Sequence, residues 1–181
     1  MDLAEASGQP MIDSDLGLSM VFNGAIYNYP ELRAELEALG YRFFSGGDTE
    51  VLLKGYHAWG EKLLPKLNGM FAFAIWERDA KRLFIARDRL GVKPLYLSRT
   101  GQRLRFASSL PALLKGGDIN PILDPVALNH YLNFHAVVLA PRTLLAGIEK
   151  LPPATWMRID AEGNTEQKTW WTLPYGPHDD E

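Results

Sequence analysis

Two short apolar runs, Met70 to Trp76 and Leu83 to Arg87, flank the polar turn Arg78 to Lys81 and read as an antiparallel hairpin. The same signal recurs along the chain. Leu16 to Phe22 is an apolar run that stops at Asn23-Gly24, and Pro94 to Ser98 and Leu104 to Ala107 flank Thr100-Gly101. Tyr41 to Phe44 reads as a short strand, and Thr155 to Ile159 with Gln167 to Trp171 flank Glu162-Gly163-Asn164. Helices are few. Pro30 suits a first helical position, with Leu32, Leu36 and Leu39 on one face and Gly40 as the stop. Asp48 reads as the N-cap of Thr49 to Trp59, with Val51, Leu52 and Tyr56 inward and Gly60 closing it. Glu61 to Leu67 and Ser109 to Leu114 are short helices. Asp124-Pro125 opens another, with Val126, Leu128 and Leu132 inward. Hairpins without regular strand–helix alternation predict an α+β fold rather than a doubly wound parallel sheet. At 181 residues this is one domain's worth of chain, framed by a polar opening through Asp15 and a Pro/Gly/Asp-rich linker from Pro174 to Glu181.

Charge and composition exclude several classes. The net charge is −3 and no Lys/Arg run is long enough for a phosphate backbone, so no nucleic acid partner is expected. No stretch reaches the roughly 18 to 20 apolar residues of a membrane span. The acidic start Met1-Asp2-Leu3-Ala4-Glu5 is unlike a signal peptide, so no membrane partner and a cytoplasmic location are expected. The four histidines (His57, His130, His135, His178) lie too far apart for metal spacing, and no metal site is expected. There are no cysteines, which removes disulfides and any thiol nucleophile from these residues.

Three motifs admit a plain and a chemical reading. Asn23-Gly24-Ala25-Ile26-Tyr27-Asn28 is a tight Asn-Gly turn, or a glycine amide and an asparagine carboxamide donating together to a developing oxyanion. In Gly46-Gly47-Asp48-Thr49-Glu50, Asp48 either caps a helix or receives a substrate ammonium group, and one side chain does only one of these fully. Ala86 to Tyr96 (A-R-D-R-L-G-V-K-P-L-Y) reads by itself as a solvated connection between strands. The five tryptophans fit core or interface positions better than base-stacking platforms, because no basic stripe accompanies them.

In order and spacing these motifs resemble the glutamine-hydrolysing domain of class II glutamine amidotransferases, in the asparagine synthetase-like branch. The resemblance rests on Gly8-Gln9-Pro10-Met11, Phe22 to Asn28, Ser45 to Glu50, Leu67 to Trp76, Ala86 to Tyr96, Phe106-Ala107-Ser108 and Lys150-Leu151-Pro152-Pro153. Ala25, where most relatives carry glutamate, and Leu151-Pro152-Pro153-Ala154-Thr155 resemble the N-acetylglutaminylglutamine amidotransferase branch.

The resemblance implies a four-layer αββα sandwich of the N-terminal nucleophile hydrolase type with antiparallel sheets, here incomplete. It implies that an N-terminal cysteine attacks the side-chain amide of L-glutamine, with its own α-amino group as base. Asn23 and Gly24 would form the oxyanion hole. Asn23, Gly24, Ala25 and Asp48 would contact glutamine, Asp48 holding its ammonium group. Ammonia would pass to a synthetase domain, the partner that uses ATP and Mg, while these residues need no cofactor. Self-association into a homo-oligomer stays open.

The chain departs from that pattern in lacking the cysteine, roughly the first fifty family residues with their carboxylate-binding arginine, and the Ser-Gly-Gly-Val-Asp-Ser signature. Residues 1–160 are therefore expected to be a partial type 2 amidotransferase domain, and 161–181 a final strand and linker. The expectation is an inactive fragment of a glutamine-dependent ligase, of marginal stability by itself. The alternative is a non-catalytic module that binds amino acids or a partner.

Overall fold

Alternation along one central strand sorts the whole structure into layers. In β3 (Gly69–Glu77), Phe71, Phe73 and Ile75 point to one face of the sheet, and Ala72 and Ala74 point to the other. The large side chains meet two helices, and the small ones admit a second sheet at close range.

The computed structural model describes residues 8–117, 119 and 121–173. The tail 174–181 and the start Met1-Asp2-Leu3 lie outside the described residues. Nine strands occur among the described residues: β1 (Met11–Asp13), β2 (Leu18–Ile26), β3, β4 (Arg82–Arg87), β5 (Tyr96–Thr100), β6 (Arg103–Ala107), β7 (Ile148–Lys150), β8 (Thr155–Ile159) and β9 (Thr165–Thr169). The helices are α1 (Tyr29–Ala38), α2 (Asp48–Trp59), α3 (Leu110–Lys115) and α4 (Pro125–Asn133), with a 3-10 segment at Gly60–Lys66. A six-stranded sheet runs β1-β2-β3-β4-β8-β9, a three-stranded sheet runs β6-β5-β7, and every pairing is antiparallel.

The core has two compartments. Met20, Phe71, Phe73, Phe84 and Trp156 pack with Leu32 and Leu36 of α1 and Leu52 and Leu53 of α2. Ala72, Ala74 and Ile85 pack with Leu95, Leu97 and Leu151 between the sheets. Helix α3 packs on β5 and β6, with Gly116 against the outward side chain of Arg105. The layers therefore run helices, sheet, sheet, helix, and the fold is α+β as the hairpins required. Among the described residues no helix is long and apolar enough to cross a membrane.

Several local expectations fail for identifiable reasons. Asn23-Gly24 is not a turn: both residues lie inside β2, opposite Ala72 and Phe71. Tyr41 to Phe44 is not a strand, because its backbone groups go to side chains of α2. Leu39 is 60% exposed beyond the end of α1, and Val126 and Leu132 of α4 are 44% and 72% exposed, leaving Ala127 as that helix's buried residue. Strands β1 and β7, each three residues long, are too short to show in the sequence pattern. Strand β9 is integral to the sheet, since Trp170, which follows it, stacks on Phe71 and donates Nε1–H to the Arg87 carbonyl at 3.2 Å.

Glycine at position 24 is a packing requirement. A Cβ there would lie 2.2 Å from the Met70 carbonyl oxygen and 2.8 Å from the Phe71 Cα. Backbone cannot swing aside as a side chain can. Gly24→Ala is expected to lower unfolding free energy by about 1–3 kcal/mol, the range for overpacking. Urea unfolding followed by tryptophan fluorescence checks this, and an unchanged midpoint would show that β2 and β3 separate at no cost.

Candidate active site

The pairing parity of β2 decides what each candidate residue can do. Just past its end, Tyr27 donates its N–H to the Asn68 carbonyl at 2.7 Å, so odd-numbered positions turn their backbone groups toward β3. Even-numbered positions turn the other way, where β1 pairs only with Leu18 to Met20.

Beyond β1, two side chains take the place of a neighbouring strand. The Gln9 carboxamide donates to the Phe22 carbonyl at 2.8 Å and accepts the Phe22 N–H at 2.7 Å. Asp48 Oδ2 accepts the Ile26 N–H at 2.9 Å. Gly24 sits between these two filled positions, and its N–H has no partner among the described residues. Its opposite residue, Phe71, is occupied on the far side: Asp88 donates its N–H to the Phe71 carbonyl at 2.8 Å, and Asp88 Oδ2 accepts the Phe71 N–H at 3.1 Å.

Asn23 lies next to this open amide. Its carboxamide makes no hydrogen bond among the described residues, and it lines a cleft of about 240 Å³ between the sheets with Gln9, Ala72, Leu95 and Phe106. Ala25 and Asp48 line a different cleft, of about 440 Å³, with Tyr27, Tyr29, Gly46 and Gly47. The four candidates thus gather around the end of β2 but divide between two openings, Asn23 lining one and Ala25 and Asp48 the other, while Gly24 lies between Asn23 and Ala25 in the strand and lines neither.

Asp48 does not cap its helix. Gly47 holds the N-cap position with no side-chain bond, and Asp48 is the first residue of α2. Its carboxylate splits its duties: Oδ2 ties α2 to β2 through Ile26, and Oδ1 has no hydrogen-bond partner among the described residues. A carboxylate oxygen in a cleft can accept an ammonium N–H. Two adjacent open donors, Gly24 N–H and the Asn23 carboxamide, can share a developing oxyanion.

The walls of the site come from buried charges that motif reading undervalues. Glu50, 0% exposed, accepts the Ser45 N–H at 2.6 Å, the Ser45 hydroxyl at 2.7 Å and the Phe44 N–H at 2.9 Å. Its charge is met by Lys54 Nζ at 2.6 Å, which also donates to the Arg42 carbonyl. This knot holds the loop that carries Gly46 and Gly47. A Glu and a Lys four apart, inside a helix already amphipathic, was the available signal.

Ala86 to Tyr96 is no solvated connection. Asp88 is 1% exposed and also accepts the N–H groups of Val92 (2.9 Å) and Lys93 (3.0 Å). Arg87, 7% exposed, donates to the carbonyls of Lys93, Gly91 and Leu151. Burial pushes its guanidinium below the ordinary value, against the opposing pull of Asp88 and Tyr96. Both side chains satisfy backbone that no strand reaches.

A family profile described as a glutamine amidotransferase domain matches residues 1–171. Asparagine synthetase [glutamine-hydrolyzing] 1 of Bacillus subtilis (strain 168) is 41% identical over 174 residues, 96% of this chain and 27% of that protein. Asparagine synthetase [glutamine-hydrolyzing] 3 of the same organism is 35% identical over 168 residues, 92% of this chain and 27% of that protein. The chain therefore spans little more than a quarter of the length of these relatives. Among solved structures, glutamine phosphoribosylpyrophosphate amidotransferase from B. subtilis superposes with a TM-score of 0.62 at 20% identity, covering 94% of this chain and 33% of that one. That likeness is one of fold, of the N-terminal nucleophile hydrolase type.

Proposed function

This chain belongs to the glutamine amidotransferase domain family, and we propose that it is the glutamine-binding part of an asparagine synthetase-like amidotransferase. In the longer protein its site would release ammonia for ATP-dependent amide formation by a synthetase domain, which would hold the ATP and Mg. The observation that carries this reading is the Gly24 N–H, open among the described residues, beside the Asn23 carboxamide, likewise unengaged among them, bracketed by Gln9 and Asp48.

In this reading Gly24 and Asn23 donate to the oxyanion formed on the side-chain amide carbon of glutamine. Asp48 Oδ1 receives the α-ammonium group, and Ala25 adds contact without charge. The attacking thiolate that the family resemblance implies has no counterpart among these 181 residues, which hold no cysteine. By themselves they bind glutamine and do not hydrolyse it. Ala25 and the Leu151–Thr155 stretch favour the N-acetylglutaminylglutamine amidotransferase branch, and a cytoplasmic location belongs to the same proposal.

Calorimetric titration with L-glutamine tests the assignment. Asp48→Asn keeps an acceptor for the Ile26 N–H but removes the charge that meets the ammonium group. Affinity is expected to fall about ten- to hundred-fold, the worth of a charge-assisted hydrogen bond, at an unchanged melting temperature. Binding indifferent to Asp48→Asn would remove Asp48 from the site, and no glutamine binding at all would favour a partner-binding module.

A further inference from the structure

Strand β9 closes one end of the six-stranded sheet, and all five of its residues are exposed. Its pairing with β8 has the same parity throughout. The Asp160 N–H bonds to the Asn164 carbonyl at 3.1 Å and the Trp170 N–H to the Ala154 carbonyl at 2.8 Å, so even-numbered positions turn their backbone toward β8. Thr165, Gln167 and Thr169 therefore turn their N–H and C=O groups outward, and these groups have no partner among the described residues. The register with β8 is continuous from Thr155–Thr169 to Ile159–Thr165, with no bulge and no proline to blunt the edge.

The sequence of this edge is Thr-Glu-Gln-Lys-Thr. Reversed about its middle residue, it places each Glu166 opposite a Lys168 and each Thr165 opposite a Thr169. We propose that the free edge of β9 is a self-recognition surface, on which a second copy of this chain pairs antiparallel about a two-fold axis through Gln167. The outward groups of Thr165, Gln167 and Thr169 form the hydrogen-bonded pairs. Glu166 and Lys168 fall at the non-hydrogen-bonded positions, where facing side chains approach most closely and opposite charges are favoured. Within one chain Glu166 already meets Lys168 Nζ at 2.6 Å and Arg158 Nη1 at 3.2 Å, and pairing gives Glu166 and Lys168 each a further opposite charge across the axis. The two six-stranded sheets become one continuous sheet, an isologous contact that closes on itself. A second copy suits this edge better than an unrelated strand because the charge order is complementary to its own reverse. The inference is independent of the glutamine site.

A five-residue edge offers less area than the roughly 1,600 Å² of a standard interface, so the association is weak and concentration-dependent. Sedimentation velocity of the 181-residue chain from about 10 µM to about 1 mM, the span of weak complexes, is the measurement. A monomer–dimer equilibrium is expected. Gln167→Pro removes an N–H that β8 does not use, and should weaken the dimer about tenfold or more while the melting temperature holds. Glu166→Lys and Lys168→Glu should each self-associate less than the parent chain, because like charges then face each other across the axis. Mixed together, they should form a heterodimer tighter than either homodimer. One edge then carries lysine at both charged positions and the other carries glutamate at both, so every facing pair is of opposite sign. A chain monomeric throughout, a dimer untouched by Gln167→Pro, or single variants that fail to complement each other would overturn the proposal. Should Gln167→Pro unfold, the mixing experiment decides alone.

Discussion

The 181-residue chain, purified free of host amidotransferases, is expected to release no ammonia from glutamine above a heat-inactivated control. Amide hydrolysis of this type requires a nucleophile close to the oxyanion donors and a base to activate it. The chain has no cysteine. Of the nearby hydroxyls, Ser45 is buried and donates its proton to Glu50 at 2.7 Å, and Ser108, which lines the cleft with Asn23, has no base hydrogen-bonded to it among the described residues. Removing a nucleophile costs on the order of 10⁶ in turnover, below what an ammonia assay resolves. Ammonia release that disappears in an Asn23→Ala variant would show that the site works with a different nucleophile. Glutamine binding without turnover, by contrast, is the expected pair of results.

The second large effect concerns Glu50. Glu50→Ala is expected to lower stability by about 3–5 kcal/mol, the cost of breaking a buried ion pair from one side. Lys54, with a side chain only 6% exposed, would retain Asp13 at 3.5 Å as its one carboxylate partner among the described residues. The N–H groups of Phe44 and Ser45 would lose their acceptor at the same time. Against a domain stability of about 5–15 kcal/mol, this brings the chain near its unfolding threshold at room temperature. The loop carrying Gly46 and Gly47 should loosen first, so hydrogen exchange at residues 43–47 is expected to rise before the rest of the domain melts. Glu50→Gln keeps an acceptor for that loop and should cost less than the alanine variant. A loss under about 1 kcal/mol for Glu50→Ala, the scale of an exposed pair, would mean that the knot is not what holds the cleft wall.

The sequence by itself determined whatever neighbouring residues decide. Pro30 starts α1, Gly60 ends α2 with a φ of +57°, and Asp124 caps α4 by accepting the N–H groups of Val126 and Ala127, each at 2.9 Å. The hairpins β3–β4, β5–β6 and β8–β9 follow from period-two runs around polar turns, and with them the α+β class. The candidate site residues Asn23, Gly24, Ala25 and Asp48 could be named from motif order, and roles for them from the resemblance, but not the backbone bonds that surround each. Tertiary structure decided that Asn23-Gly24 continues a strand, because β3 lies alongside it, and that Tyr41 to Phe44 does not form one, because Glu50 and Lys54 take its backbone groups. It also decided that Arg87 and Asp88 are buried, and that among the described residues the Gly24 amide is left open while Phe22 and Ile26 are filled by Gln9 and Asp48. The physical reason is range. Caps, turns and periodicity act over a few residues, whereas the partner of a backbone group or buried charge can come from anywhere in the chain, and only packing brings it there.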